Sequence, residues 1–221
     1  MRNLRLMFVI TALMWGFGIV TLPWIPDPAP IHWNAAGEVD GYGSSWIVAF
    51  LPPAIATLMA ILALLLPQID PRGERYTRFA RTYALMMNSL ILFFAALHLI
   101  TTGVAIGWPI SVPRLLSLGT ALLFVVLGNE LGRVTPNYFV GIRTPWTLAD
   151  AKVWQITHRV GARIFVGSGL LAALVSLVVP ERWLWVTSLP LILVPALSTI
   201  PYSYIVWRRL HRAESSRGEF S

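Results

Sequence analysis

The sequence predicts an all-α integral membrane protein with six transmembrane helices, and three observations favour this class. First, 56% of the 221 residues are hydrophobic and only 12% are charged, about half the charged fraction of a soluble domain. Second, the apolar residues fall into blocks of roughly 20, the length of a helix that crosses the hydrocarbon core of a bilayer. Third, Lys and Arg are concentrated in alternate connecting segments, as in multi-pass membrane proteins.

The six spans are joined by short connections apart from two longer loops. They are predicted at 4–23, 46–67, 82–103, 113–132, 160–179 and 183–206. Arg2 and Arg5 stand at the start of the first span, as in a signal sequence, but no small-residue cleavage site follows. We therefore expect a retained anchor. Because no linker or internal repeat divides the chain, a single membrane domain over 1–221 is predicted.

The distribution of basic residues predicts the orientation of the spans. Fifteen of the 17 Lys and Arg residues lie in the terminal segments or between spans two and three or four and five, whereas only Arg114 and Arg182 lie on the other side. Because cytoplasmic loops collect Lys and Arg, both the N and C termini are predicted to be cytoplasmic. The net charge of +7 then indicates contact with anionic membrane lipid, and no direct nucleic-acid partner is expected.

Two absences narrow the function classes. The chain has no cysteine, which excludes disulfides, thiolate catalysis and cysteine-based zinc sites. No ionisable residue is predicted in the middle of a span. Since a proton pump or ion-coupled transporter needs polar groups through the membrane centre, these classes are disfavoured.

The predicted extracytoplasmic loop, 24–45, contains the stretch "PIHWNAAGEVDGYG". Its prolines favour an extended approach. The segments "NAAG" and "DGYG" predict two turns, because Asn, Asp and Gly tolerate positive φ. Such turns would bring four polar side chains close together, and these are His32, Asn34, Glu38 and Asp40.

This loop has three interpretations: a peptide-binding or protein-binding loop, a purely structural turn, or a site for zinc or another divalent metal. His32, Glu38 and Asp40 are ligand types that zinc accepts. His98, near the outer end of span three, either bonds a threonine or a backbone carbonyl or faces this loop and joins His32. No HExxH motif or EF-hand loop is present. No cofactor is therefore predicted, and a metal remains the alternative.

The predicted cytoplasmic loop and helix start, 133–158, form the second elaborate feature. Thr147 is predicted to cap a helix that begins at Leu148, with Asp150 at its positive end. This helix would run into span five and place three residues on one face, at positions i, i+4 and i+7. The three residues are Trp154, His158 and Gly161.

Two charged residues of this region need partners. Glu130 is predicted to pair with Arg133 or Arg143, because a carboxylate near lipid needs a partner. Arg143 lies in an irregular loop and can also bond backbone carbonyls. One interpretation is that Arg143, Asn137 and Glu130 lock the loop beneath the bundle. The other is that the loop forms a docking surface for a cytosolic partner.

The stretch "IHWNAAGEVDGYGS" and the later "GNELGRVTPNYFVGIRTPWTLADAKVWQITHRVGAR" together resemble the SdpI family of bacterial membrane immunity proteins. The first stretch is similar to that family's N-terminal domain of unknown function, and the second to its C-terminal signature. The outer motif is matched by His32, Asn34, Gly37 and Asp40. The inner motif is matched by Asn129, Asn137, Gly141, Arg143, Thr144, Trp146, Thr147, Trp154, His158 and Gly161.

The resemblance implies a multi-pass protein of the bacterial cytoplasmic (inner) membrane. The best-known member of the family protects a cell from its own secreted peptide toxin, and it holds a small repressor at the membrane once toxin is bound. The first hypothesis is therefore a non-enzymatic immunity or sensor protein whose outer loop meets a toxin or other peptide. Its candidate contacts are His32, Asn34, Gly37, Glu38 and Asp40. The second hypothesis is an extracytoplasmic metal-dependent membrane enzyme or metal-binding protein.

Overall fold

The structure, a computed structural model, describes residues 4–34 and 36–218, with side chains as far as Arg212. This part of the chain contains seven α-helices and one β-hairpin. In chain order they are α1 (Arg5–Thr21), β1 (Ala29–Trp33), β2 (Val39–Gly43), α2 (Ser45–Ile69), α3 (Ala80–Ala105), α4 (Val112–Leu131), α5 (Pro145–Ala149), α6 (Ala151–Val178) and α7 (Leu184–Gly218). Short 3₁₀ turns precede α3 and α7, at Gly73–Phe79 and Glu181–Trp183, and a third follows α1.

The six predicted transmembrane helices are confirmed. All helices except the five-residue α5 are long and apolar enough to cross a membrane. Their outward faces carry many large apolar side chains, more than the surface of a soluble protein normally exposes. Leu13, Leu174 and Val178, for example, are 68%, 58% and 71% exposed. These faces fit a protein surrounded by lipid.

The helices form two groups of three. In one group α1, α2 and α3 pack against one another, and in the other α4, α6 and α7 do so. The groups meet along α3 and α4. Glycine permits close approach within each group: a Cβ at Gly18 of α1 would overlap the carbonyl of Ala49 in α2, and one at Gly128 of α4 would lie 2.7 Å from Phe165 Cβ in α6.

The helix caps before α6 differ from the prediction. Thr144, rather than Thr147, caps a short helix, and the Oγ1 of Thr147 accepts the backbone N–H of Thr144 in a reciprocal capping box. Asp150 then breaks this helix and caps α6 by accepting the N–H groups of Lys152 and Val153. The reason is Pro145, which suits the first position of a helix and so starts it directly after Thr144.

The helical fold class is confirmed, and the two-stranded β-hairpin is a small addition that was not predicted. The turn at "NAAG" is confirmed by the bond from Gly37 N–H to the Asn34 carbonyl, at 2.9 Å. The predicted turn at "DGYG" is wrong, because this segment lies in β2. Gly41 serves close cross-strand approach instead: a Cβ there would lie 2.8 Å from the Cβ of His32 in β1.

Candidate functional site

The tip of the hairpin is organised by Asn34. Its side-chain oxygen accepts the N–H groups of Ala36 and Glu38, at 2.9 and 3.0 Å, and its amide nitrogen donates to the Glu38 carboxylate at 3.1 Å. Gly37 completes the turn with φ +85°, a conformation that L-residues with side chains avoid. Asn34 and Gly37 therefore have clear structural reasons to be present.

The two strands of the hairpin, on either side of this turn, carry several exposed side chains. His32 Nδ1 and Asp40 Oδ1 are 2.5 Å apart across the two strands, with side chains 70% and 43% exposed. Ile31 and Tyr42 beside them are 38% and 62% exposed. The hairpin thus presents a hydrogen-bonded histidine–aspartate pair next to apolar surface, a combination suited to binding an amphipathic partner.

The hairpin is held at both its base and its tip. Ala29 is fully buried at the base, in a cluster with Val48 and Ala49 of α2. At the tip, a Cβ on Gly37 would lie 2.6 Å from Pro113 Cγ at the start of α4. The hairpin therefore touches both helix groups. We call this end of the bundle the hairpin end.

The predicted metal ligands are brought together only in part. His32 and Asp40 meet, whereas Glu38 bonds Asn34. His98 is buried in α3 and packs edge-on against Phe17 of α1, with ring centroids 5.1 Å apart, and it does not join His32. Among the side chains that the structure describes, within 4–34 and 36–212, no three His, Asp or Glu are grouped where they could hold one metal ion.

At the opposite end, Asn137 organises the segment that precedes α5. We call this the basic end, and it contains the 3₁₀ turn Gly73–Phe79 and the loop 132–144. Asn137 is fully buried. Its amide donates to the carbonyls of Thr135 and Val140, at 2.9 and 3.0 Å, while its oxygen accepts the N–H groups of Phe139 and Val140, at 2.9 and 2.7 Å. All hydrogen-bonding capacity of this amide is used internally.

Asp70 and Tyr76 join this loop to the other helix group, and the sequence analysis missed both. The Tyr76 hydroxyl lies 3.1 Å from the Asp70 carboxylate and 3.2 Å from the Asn137 oxygen. The same carboxylate accepts the N–H of Tyr138 at 2.9 Å. One signal was available, since Asp70 is a solitary acid between the end of a span and Pro71.

The predicted face of α6 is confirmed, and it receives the loop. Trp154 and His158 stack at 4.0 Å, and the indole N–H donates to the Val134 carbonyl at 2.8 Å. His158 Nδ1 lies 2.9 Å from the Trp154 carbonyl, while its Nε2 accepts the N–H of Ile142 at 3.0 Å. Because a carbonyl only accepts and a backbone N–H only donates, His158 is a neutral ring with its proton on Nδ1.

Gly141 makes this arrangement feasible. It has φ +116°, and a Cβ at this position would overlap Nε2 of His158. Nearby, Thr144 and Trp146 fasten the loop to α7. The Thr144 hydroxyl is 2.9 Å from that of Ser203, and Trp146 packs on Tyr204 with centroids 5.0 Å apart.

Glu130 and Arg143 have different partners. Of the two predicted partners for Glu130, Arg133 is correct, at 2.8 Å, and Thr82 of α3 adds a bond of 2.7 Å that the sequence analysis missed. Arg143 does not pair with Glu130. It is exposed and donates to the Tyr138 carbonyl at 2.8 Å, while the Glu130 carboxylate is already bonded by Arg133 and Thr82.

The fold and these two features define a class: a six-helix membrane protein with a built hairpin at one end and an internally hydrogen-bonded loop at the other. Residues 133–203 match the model of the SdpI/YfhL protein family, and residues 9–57 match a domain of unknown function, DUF1648. Over these regions the chain is similar to that family and that domain, and its six long apolar helices together with this similarity make it a multi-pass bacterial membrane protein.

Two relatives show how far the similarity extends. The chain is 22% identical over 211 residues to "Immunity protein SdpI" of Bacillus subtilis (strain 168), which covers 96% of this chain and 99% of that protein. It is 31% identical over 85 residues to an uncharacterized protein of Archaeoglobus fulgidus, which covers 38% of this chain and 46% of that one. No solved structure matches the chain significantly.

Proposed function

We propose that this protein is an SdpI-like immunity and sensor protein that protects the cell from a secreted, membrane-active peptide toxin. The observation that carries the proposal is the exposed surface of the hairpin, to which Ile31, His32, Asp40 and Tyr42 contribute. Similarity to an immunity protein along nearly the whole chain supports the same function. Structural loops of this kind often carry binding sites on a rigid scaffold.

The chemistry of the hairpin favours a cationic, amphipathic peptide. Asp27, Glu38 and Asp40 are the charged residues between Trp24 and Ser45, and no Lys or Arg balances them. Trp24 and Trp46, at the two ends of the loop, are 65% and 62% exposed. Negative charge attracts basic side chains over a distance, and the aromatic surface then offers contact to apolar ones.

The orientation is part of the proposal: the hairpin end faces outward, and both termini lie in the cytoplasm. The basic residues support this, since Arg114 and Arg182 are the only ones at the hairpin end among those whose side chains the structure describes. The chain has no cysteine, so single cysteines report accessibility cleanly. A membrane-impermeant maleimide is expected to label Glu38→Cys in intact cells and Thr77→Cys only after lysis. The reverse pattern would refute the orientation.

Survival of a sensitive host tests the immunity function. Cells that express the protein are expected to outlive control cells when exposed to a panel of secreted, cationic, membrane-active peptides. His32→Ala and Tyr42→Ala should lose most of this protection, because both side chains are exposed on the hairpin and neither forms the Asn34 turn. The matched control is His211→Ala, which replaces an exposed histidine toward the C-terminal end of α7. This variant should retain the protection.

Two results would count against this function. One is that no peptide of the panel kills expressing cells less than control cells. The other is that His32→Ala and Tyr42→Ala protect as well as the unchanged protein at equal membrane levels. Thermal unfolding of each purified variant is followed by tryptophan fluorescence. An unchanged melting temperature shows that a variant has lost a peptide contact and not its fold.

A second part of the proposal concerns the basic end, where the protein would also hold a cytosolic repressor once peptide is bound. Arg143 and Tyr138 support it, because both are exposed although the loop that carries them is locked by Asn137. In the same cells, a repressor that responds to the peptide should move to the membrane fraction. Arg143→Ala should abolish this movement while protection persists. Unchanged fractionation after exposure to the peptide would refute this part alone.

A further inference from the structure

A polar pocket opens at the basic end of the line where α3 meets α4, which we call the α3–α4 seam. The pocket has a volume of about 370 Å³. It is lined by Arg81, Thr82, Leu85, Asn129, Glu130 and Arg133. Two of these six side chains are arginines, one on each side of the seam.

The charge of this pocket is positive, because its one acid is already neutralised. The Glu130 carboxylate is buried and accepts bonds from Thr82 and Asn129, at 2.7 and 3.2 Å, in addition to its ion pair with Arg133. Arg81 is exposed, and its side chain has no ion pair or hydrogen bond with any residue in the part of the chain that the structure describes. One guanidinium is therefore uncompensated, and the Arg133 side chain is still 61% exposed.

An apolar groove continues along the same seam toward the hairpin end. It has a volume of about 220 Å³. It is lined by Ser89, Leu92, Phe93, Ala96, Gly119, Leu122, Leu123 and Val126. Ser89 donates its hydroxyl to the Leu85 carbonyl, so it adds no unsatisfied polar group. Gly119 faces Phe93 across the groove, and a Cβ there would lie 3.4 Å from the Phe93 ring, in ordinary van der Waals contact.

We propose that the α3–α4 seam binds one anionic phospholipid. The phosphate would lie between Arg81 and Arg133, and an acyl chain would follow the groove between the two helix groups. Arginine matches the oxygens of a phosphate with paired N–H donors, and basic pockets between membrane helices are suited to anionic headgroups. Only a lipid offers a phosphate and a long apolar chain joined in this order along a membrane helix.

Retention of lipid by the full-length protein tests this site. Native mass spectrometry is applied to protein released from nanodiscs of phosphatidylcholine with a minor fraction of phosphatidylglycerol. One phosphatidylglycerol per chain is expected to remain bound in preference to phosphatidylcholine. Arg81→Gln should reduce this retention about fivefold, the effect of one basic residue beside a headgroup. Arg78→Gln, an exposed arginine on the preceding 3₁₀ turn, is the matched control and should not.

A second variant separates a bound lipid from a free phosphate. Ala96→Trp fills the groove without changing any charge, so it should also reduce retention of phosphatidylglycerol. Equal retention of both lipids, or equal losses in Arg78→Gln and Arg81→Gln, would overturn the proposal. So would displacement of the lipid by inorganic phosphate together with full retention in Ala96→Trp, since the pocket would then bind a phosphate alone.

Discussion

Gly141→Ala is expected to lower the free energy of unfolding by on the order of 3 kcal/mol. Two costs add. At φ +116° an alanine is strained, and its Cβ would overlap Nε2 of His158. The ring must then move away from the N–H of Ile142, which leaves that buried donor without an acceptor. Thermal unfolding in detergent, followed by tryptophan fluorescence, measures the loss.

The chain contains a matched control for this substitution. Gly107 also has positive φ, at +93°, but no atom lies within 4 Å of a Cβ built there. Gly107→Ala should therefore cost only the backbone strain, about 1–2 kcal/mol. The double variant Gly141→Ala with His158→Ala should lose less stability than the sum of the two single variants. His158→Ala removes the ring that the Cβ of Ala at position 141 would overlap. Equal melting temperatures for Gly141→Ala and Gly107→Ala would contradict the close contact with His158.

Asn137→Ala is expected to have a similarly large effect, because this amide satisfies several buried groups at once. Its removal leaves two carbonyls and two backbone N–H groups without a partner and also breaks the bond to Tyr76. Each such group costs about 1–3 kcal/mol when buried, so the total should exceed about 3 kcal/mol. The same fluorescence measurement applies, and hydrogen exchange should show loss of protection centred on 134–142.

Asn129→Ala provides the comparison for Asn137→Ala. Asn129 is also an asparagine at the basic end, but it is exposed and forms a single side-chain bond of 3.2 Å to Glu130. Its replacement should lower the melting temperature by much less. If both variants melt at the same temperature, the network around Asn137 does not stabilise the loop in the way we describe.

The transmembrane helices could be predicted because their signal is local. Length and continuous apolarity are properties of one segment, and a bilayer selects both. The helix caps between 144 and 151 were harder, because Thr144, Thr147 and Asp150 are all suitable caps by residue type. Pro145 decides between them, and its preference for the first turn of a helix was the cue that the sequence analysis passed over.

The structure brings the polar groups of the two motifs together only in part, and several of their partners come from distant parts of the sequence. Asp70 and Thr82 are the clearest cases, since they bond Tyr138 and Glu130, which are 68 and 48 positions away. No periodicity or spacing within one sequence connects residues so far apart. Glycine was misread for a related reason: Gly41 looked like a turn residue, and only the pairing of β1 with β2 shows that it makes room for His32.

The division into two helix groups also bears on how the gene for such a protein could be divided. The region matched by DUF1648 lies within α1, the hairpin and α2, whereas the SdpI/YfhL region covers the loop, α5, α6 and most of α7. A gene split at the turn between α3 and α4 would therefore encode two fragments, each with three long helices and one complete motif. Such fragments would still have to associate, because Thr82 bonds Glu130 and Asp70 bonds Tyr138 between the two halves.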